Sequence, residues 1–116
     1  MSSHSDLAKI ARDAARIYDA SEVVVACATV EAAMVGSEPP SRRGKAAQSK
    51  MQSRMIAAVI ALTDRTVAQA GEIFGLDEVQ ALNRRRWFLD ECTETYQRAY
   101  LAQVQMKLEA ARDAAE

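Results

Sequence analysis

Apolar residues recur along most of this chain at three- and four-residue spacing, the period of an α-helix. Leu7, Ile10, Ala14 and Ile17 form the first such stripe, with Ser5 or Asp6 placed to cap its start. Asp19 and Ser21 break it and open a second segment over 21–35. Val23, Val24 and Val25 would suit a buried strand, but no other stretch offers a strand to pair with, so the segment is predicted as helix. Gly36, Pro39, Pro40 and Ser41 mark the clearest loop, since two prolines stop a helix and hold the chain extended. A third helix is expected over about 47–62. Its core face is Met51, Met55, Ala58, Val59 and Leu62, with Lys50 and Arg54 together on another side.

The second half of the chain is punctuated by caps. After a short turn at 63–65, Thr66 and Gln69 match a capping box. The short fourth helix should end at Phe74 and Gly75, where glycine suits the left-handed C-cap. Leu76 returns to the core and Asp77 caps a fifth helix. No glycine or proline follows Gly75, so either one long helix runs to about 113 or a break falls near 90–93. Leu82, Leu89 and Tyr96 are spaced by seven, as are Leu101 and Leu108, with Val104 and Ala111 in the other seam position. That tail suits packing on its own domain or on a second copy of the chain.

Composition agrees with helix. Of 116 residues, 49% are hydrophobic, many of them alanine, and only 5% aromatic, which predicts a thin all-α core in a single domain over 1–116. Net charge is −1, but it is unevenly spread. Residues 42–65 hold six basic residues and one acid, whereas 1–41 and 87–116 each hold three basic and six acidic residues. An acidic protein still binds DNA when its cations share one face. Cys27 and Cys92 have no metal-ligand spacing and read as two reduced thiols. No secretory leader is evident and no apolar run is long enough to span a bilayer. A cytoplasmic, nucleoid-associated protein without a membrane partner is expected.

The stretch 66–86 reads as helix, glycine turn, helix, ending in Arg84, Arg85 and Arg86. That is what a helix-turn-helix requires. The glycine permits the tight turn, the apolar Leu76 pins the two helices, and the second helix enters a major groove. The fourteen residues from Leu62 to Gly75 resemble the corresponding segment of the C-terminal DNA-binding domain of the replication initiator DnaA, in spacing and without a gap. Arg42 and Arg43 lie about twenty residues upstream of Leu62, much as a double arginine does in that family. The helix of Ala14 to Tyr18 is similar to the family's first. The resemblance covers roughly 7–88, interrupted near 26–41.

The resemblance implies an all-α, five-helix domain with a helix-turn-helix of the DnaA domain IV or Trp-repressor kind. A DnaA-like core over 5–88 would carry a long C-terminal helical extension over 89–116. The family's arginine-aspartate-histidine-threonine-threonine signature is replaced here by Leu76, Asp77, Glu78, Val79, Gln80 and Ala81, so the DnaA-box sequence is not the expected target. No phosphate-binding GxxxxGK[ST] motif is present. DnaA-like domains without the ATPase also occur in bacterial, phage-derived regulators such as activators of gene transfer agent clusters, and this chain resembles a stand-alone version of such a domain. The resemblance there implies RNA polymerase or a partner regulator as protein contact.

On this reading the protein is a sequence-specific double-stranded DNA-binding transcription regulator. The helix over 77–86 lies in the major groove and a basic arm over 42–50 lies on the minor groove or phosphates. Gln80, Asn83 and Arg84 are the base-contact candidates, since glutamine and asparagine pair with adenine and arginine with guanine. Arg85 and Arg86 are expected on phosphate, or as neutralising partners of Asp90 and Glu91 one turn on. Arg42, Arg43 and Lys45 form a cationic arm, and Lys50 and Arg54 sit one turn apart. In the family a basic residue that reaches the minor groove falls at Lys50, with Arg54 as its substitute. Arg65 and the cap at Thr66 set a cation beside helix N–H groups, a phosphate seat. Trp87 and Phe88 are expected in the core. No catalytic set, cofactor motif or metal-ligand set is seen, because Asp90 and Glu91 are adjacent and lack a nucleophile or base. The competing reading is a non-enzymatic phage-type adaptor or inhibitor that acts through protein contacts on a vestigial DNA-binding fold.

Overall fold

The computed structural model describes residues 18–36 and 45–115. Among them are five α-helices and no strand: α1 Ala20–Gly36, α2 Lys45–Leu62, α3 Val67–Ile73, α4 Glu78–Glu91 and α5 Glu94–Ala115. The protein is all-α, as the periodicity predicts. The stripe from Leu7 to Ile17, the proline loop and the pair Arg42 and Arg43 lie outside the described residues, as does the side chain of Lys45.

The valine triplet is helical. Val23 is fully buried, Val24 half-buried and Val25 66% exposed, which is the 100° rotation of a helix rather than the alternation of a strand. Val23, Ala26, Cys27, Val30 and Glu31 form the inward face of α1. Helix α2 is the hub, packed on α1, α3 and α4. Every residue from Ser53 to Val59 is buried, so its buried surface extends well beyond the predicted face of Met51, Met55, Ala58, Val59 and Leu62, of which Met51 is half-buried. A helix enclosed on all sides carries little amphipathic signal in its sequence.

Helix α5 packs lengthwise on α1. Tyr100, Leu101, Val104 and Leu108 are buried there. The tail seam predicted for either its own domain or a second copy is therefore filled by α1 of the same chain. At the far end Arg112 chelates Glu22, Nε to Oε2 at 3.1 Å and Nη2 to Oε1 at 3.3 Å, and its guanidinium carbon stands 4.5 Å above the Tyr18 ring. The Tyr18 N–H donates to the Leu62 carbonyl at 2.9 Å, tying the start of α1 to the end of α2.

Of the two alternatives for the C-terminal half, the structure has the break. Cys92 adopts extended backbone (φ −93°, ψ 144°), and Thr93 caps α5 by accepting the Tyr96 N–H at 3.1 Å. The buried amide of Gln97 then donates back to the carbonyls of Leu89 and Cys92 at 3.1 and 3.0 Å, satisfying acceptors at the end of α4. Phe88 fills the corner, 6.4 Å from Tyr96 and 6.0 Å from Tyr100 between ring centroids. The corner separates Leu89 from Tyr96, and Leu82 differs from Leu89 in burial although both lie on α4, so the seven-residue register of Leu82, Leu89 and Tyr96 is not one seam. Leu89 is buried, whereas Leu82 faces outward, 40% exposed.

Candidate nucleic-acid interface

The hairpin of α3 and α4 is fixed by local chemistry at every step. Thr66 caps α3: its hydroxyl accepts the Gln69 N–H at 3.2 Å, and Gln69 Oε1 accepts the Thr66 N–H at 2.9 Å. At the other end Gly75 takes φ +70°. The Gly75 N–H donates to Glu72 and the Leu76 N–H to Gly71, at 3.1 and 3.0 Å, a Schellman pairing that closes the helix. Asp77 opens α4 with a second capping box. Its carboxylate accepts the Gln80 N–H at 2.8 Å while Gln80 Oε1 accepts the Asp77 N–H at 3.0 Å. Where the two helices cross, Gly71 lies against Ala81, both buried.

Helix α4 presents three distinct sides. Ala81 and Phe88 are fully buried along one line, facing the core. Val79, Leu82, Asn83 and Arg86 are exposed on the opposite side. At 100° per residue these four fall within an arc of about 100°. Arg84 and Arg85 sit on the flanks between, both half-buried. Arg84 lies along α2, its Nε 3.5 Å from Gln52 Oε1, a long contact. Lys50 reaches Trp87 from the same part of α2, its Nζ 5.8 Å from the ring centroid. Lys50 and Arg84 are thus brought together along the seam between α2 and α4.

Arg85 occupies the other flank. Its Nε is buried without a hydrogen-bond partner, and burial holds its guanidinium pKa below the ordinary arginine range. Beside it is a recess of about 160 Å³ lined by Leu82, Arg85, Arg86, Leu89 and Asp90.

Several predicted contact residues are placed differently from the sequence expectation. Arg54 is turned inward, with only 10% of its side chain exposed, and grips Glu31 through two contacts of 2.7 Å. Burial opposes its charge, but the Glu31 carboxylate outweighs that and holds its pKa above the ordinary value. It cannot leave Glu31 for a phosphate without stranding a buried carboxylate. Gln80 is exposed, but its carbonyl is committed to the cap. Thr66 is likewise occupied by its box, which uses two donors that a phosphate would take, while Arg65 beside it is exposed. Asn83 points outward as expected. The periodic reading missed Val79 and Leu82 as surface residues and Glu31 as the partner of Arg54. A lone acid on the apolar face of α1, one turn after Cys27, was the available signal for Glu31.

Cys27 is buried and Cys92 half-buried, both free thiols. Burial pushes the Cys27 pKa up to about 12 and raises that of Cys92. Among the described residues no group of histidine, cysteine or carboxylate side chains is arranged to hold a metal ion, and no helix is long and apolar enough to cross a membrane. Neither a known protein family, nor a curated protein, nor a solved structure matches the chain.

Proposed function

We propose that the protein is a sequence-specific double-stranded DNA-binding transcription regulator whose α4 lies in the major groove, with α3 crossing the backbone. The observation that carries this reading is the rigid α3–Gly75–α4 hairpin, which holds one face of α4 outward between flanking cations. Helix-turn-helix domains place the N-terminal residues of the second helix on base edges in this way. Arg84 with Lys50 on one flank, and Arg85 on the other, stand where phosphates on either side of a groove run. Arg65 adds a cation at the start of α3. Arg42 and Arg43 precede α2 in sequence and Lys45 is its first residue, so this stretch of chain adds three more cations shortly before Lys50. The resemblance to DnaA domain IV supports the same assignment, with RNA polymerase or a partner regulator as the protein it serves.

A mobility-shift selection from random duplex DNA tests this. A single enriched motif, bound through moderate salt, is expected. Binding that is sequence-independent and erased by modest salt would refute it, because such binding is phosphate attraction alone.

A second reading is favoured by a specific observation. Ile73, Val79 and Leu82 are 43%, 66% and 40% exposed on the same hairpin, and Leu82 lines the recess at Arg85. Apolar surface next to cations also suits an adaptor that docks an acidic, apolar segment of another protein. Co-purification of a stoichiometric protein partner, lost on Leu82→Glu, would support that reading over the first.

A further inference from the structure

The outward face of α4 is unusual for a surface that meets DNA, because two of its four side chains are apolar. Val79 is 66% and Leu82 40% exposed, although both sit on a helix whose opposite side is fully buried. Neither is needed to close the core, which Ala81, Phe88 and Leu89 already complete on α4. Arg86 lies between them in projection and Asn83 one turn on from Val79, on its other side, both exposed.

Resting on the DNA-binding reading above, we infer that this face reads thymine-containing steps, with Val79 and Leu82 packed on thymine C5-methyl groups and Asn83 paired to an adenine edge. In the major groove the thymine methyl is the one apolar feature a base pair displays, and adenine N6 and N7 are what a carboxamide matches bidentately. Two branched aliphatic side chains beside an uncommitted carboxamide therefore match A·T pairs. The neighbouring carboxamide, Gln80, does not compete, because its carbonyl is held by the Asp77 N–H. The line from Val79 to Arg86 is seven residues, about 10 Å at 1.5 Å per residue. That covers about three base steps of 3.4 Å. Charge argues for DNA as the occupant rather than a purely apolar partner, since Lys50 and Arg84 flank one edge of the face, Arg85 the other, and Arg86 stands on the face itself.

The specificity residues are thus Val79, Leu82 and Asn83, whereas Arg84 and Arg85 supply affinity without base discrimination. The test begins with the motif enriched by the full chain from random duplex DNA. Each thymine is replaced in turn by deoxyuridine, which lacks only the C5-methyl. Affinity is expected to fall about fourfold for each contacted methyl, the worth of one buried CH₂-sized group. Val79→Ala, at an exposed position, should keep the helical circular-dichroism spectrum and abolish the deoxyuridine penalty at one position. A motif that binds equally well with every thymine replaced overturns the inference while leaving the DNA-binding reading intact. Failure to enrich any sequence removes both and assigns the apolar face to a protein partner.

Discussion

Gly71 and Ala81 meet so closely that a Cβ on the glycine would stand 2.7 Å from the Cβ of Ala81 and 3.2 Å from the Leu76 carbonyl oxygen. Neither neighbour is the flexible end of a side chain. The crossing of α3 and α4 therefore depends on the absence of one methyl group. Gly71→Ala gains helix propensity worth about 1 kcal/mol, but it overpacks the crossing, which typically costs about 1–3 kcal/mol. Net destabilisation is expected in urea unfolding, together with loss of whatever binding α4 carries. Ala81→Gly, which removes the opposing methyl, should restore part of it. A Gly71→Ala variant more stable than the parent would contradict the packing described.

Gly75 differs from Gly71 in kind. An added Cβ there meets nothing within 4 Å, yet the residue holds φ +70°. Gly75→Ala should therefore cost only the left-handed backbone penalty, about 1–2 kcal/mol. Gly75→Asn should cost less, because asparagine tolerates that region. Equal losses for alanine and asparagine in thermal unfolding would mean that something other than backbone conformation is at stake.

The buried pair of Arg54 and Glu31 predicts an asymmetry. Glu31→Leu alone leaves a buried guanidinium and should cost about 3–5 kcal/mol, whereas Glu31→Leu with Arg54→Met should recover most of that loss. A double-mutant cycle by chemical denaturation measures the difference. Additive losses would show that the two side chains do not act as a pair.

Alkaline pH should unfold the protein through its buried acids. The Cys27 thiol is raised by burial from its ordinary 9.0 to about 12, and the Tyr100 phenol is raised by burial, with Cys27 and Glu31 adding to the effect. Each group keeps its proton in the folded state at a pH where the unfolded chain has lost it. The Cys27 contribution is full below pH 9 and is lost as pH rises from 9 towards 12, while that of Tyr100 is full below its ordinary 10.0 and is lost above it. The melting temperature should be level below pH 9 and fall above it, and Cys27→Ala should flatten part of that fall. Thiol labelling of the native protein should reach half-buried Cys92 well before buried Cys27.

Removing α5 after Tyr96 takes away Tyr100, Leu101, Val104 and Leu108, all of them buried. Collapse of the cooperative unfolding transition is expected, since these residues cover α1 within the same chain. A truncated chain that keeps its melting transition and changes only its mass in light scattering would place the seam between copies instead.

The local devices of the hairpin were legible in the sequence because each depends on residues within a few positions of one another. The Thr66 box, the Asp77 cap, the turn at Gly75 and the return of Leu76 are all of this type. So is the helical state of α1, where the lack of a partner strand outweighed the β-preference of three valines. The side on which each residue lies was harder to read. Arg54 looked like a companion of Lys50, one turn away, because a surface helix was assumed. Enclosure of α2 by three neighbours turns Arg54 towards Glu31, a residue 23 positions away in sequence. Leu82 shared a seven-residue register with Leu89 and Tyr96, yet the corner at Cys92 parts Tyr96 from the other two, and on α4 itself only Leu89 is covered by the rest of the fold. Long-range partners and corners set these outcomes, and neither leaves a periodic trace.

The enclosure of α2 has a corollary for how such a domain can diversify. With no side of that helix open to solvent between Ser53 and Val59, almost any substitution there is felt by the whole scaffold. The outer positions of α4 carry no such burden. Randomising Val79, Leu82, Asn83 and Arg86 together should yield a library whose members nearly all fold, so new recognition properties can be selected on an unchanged frame.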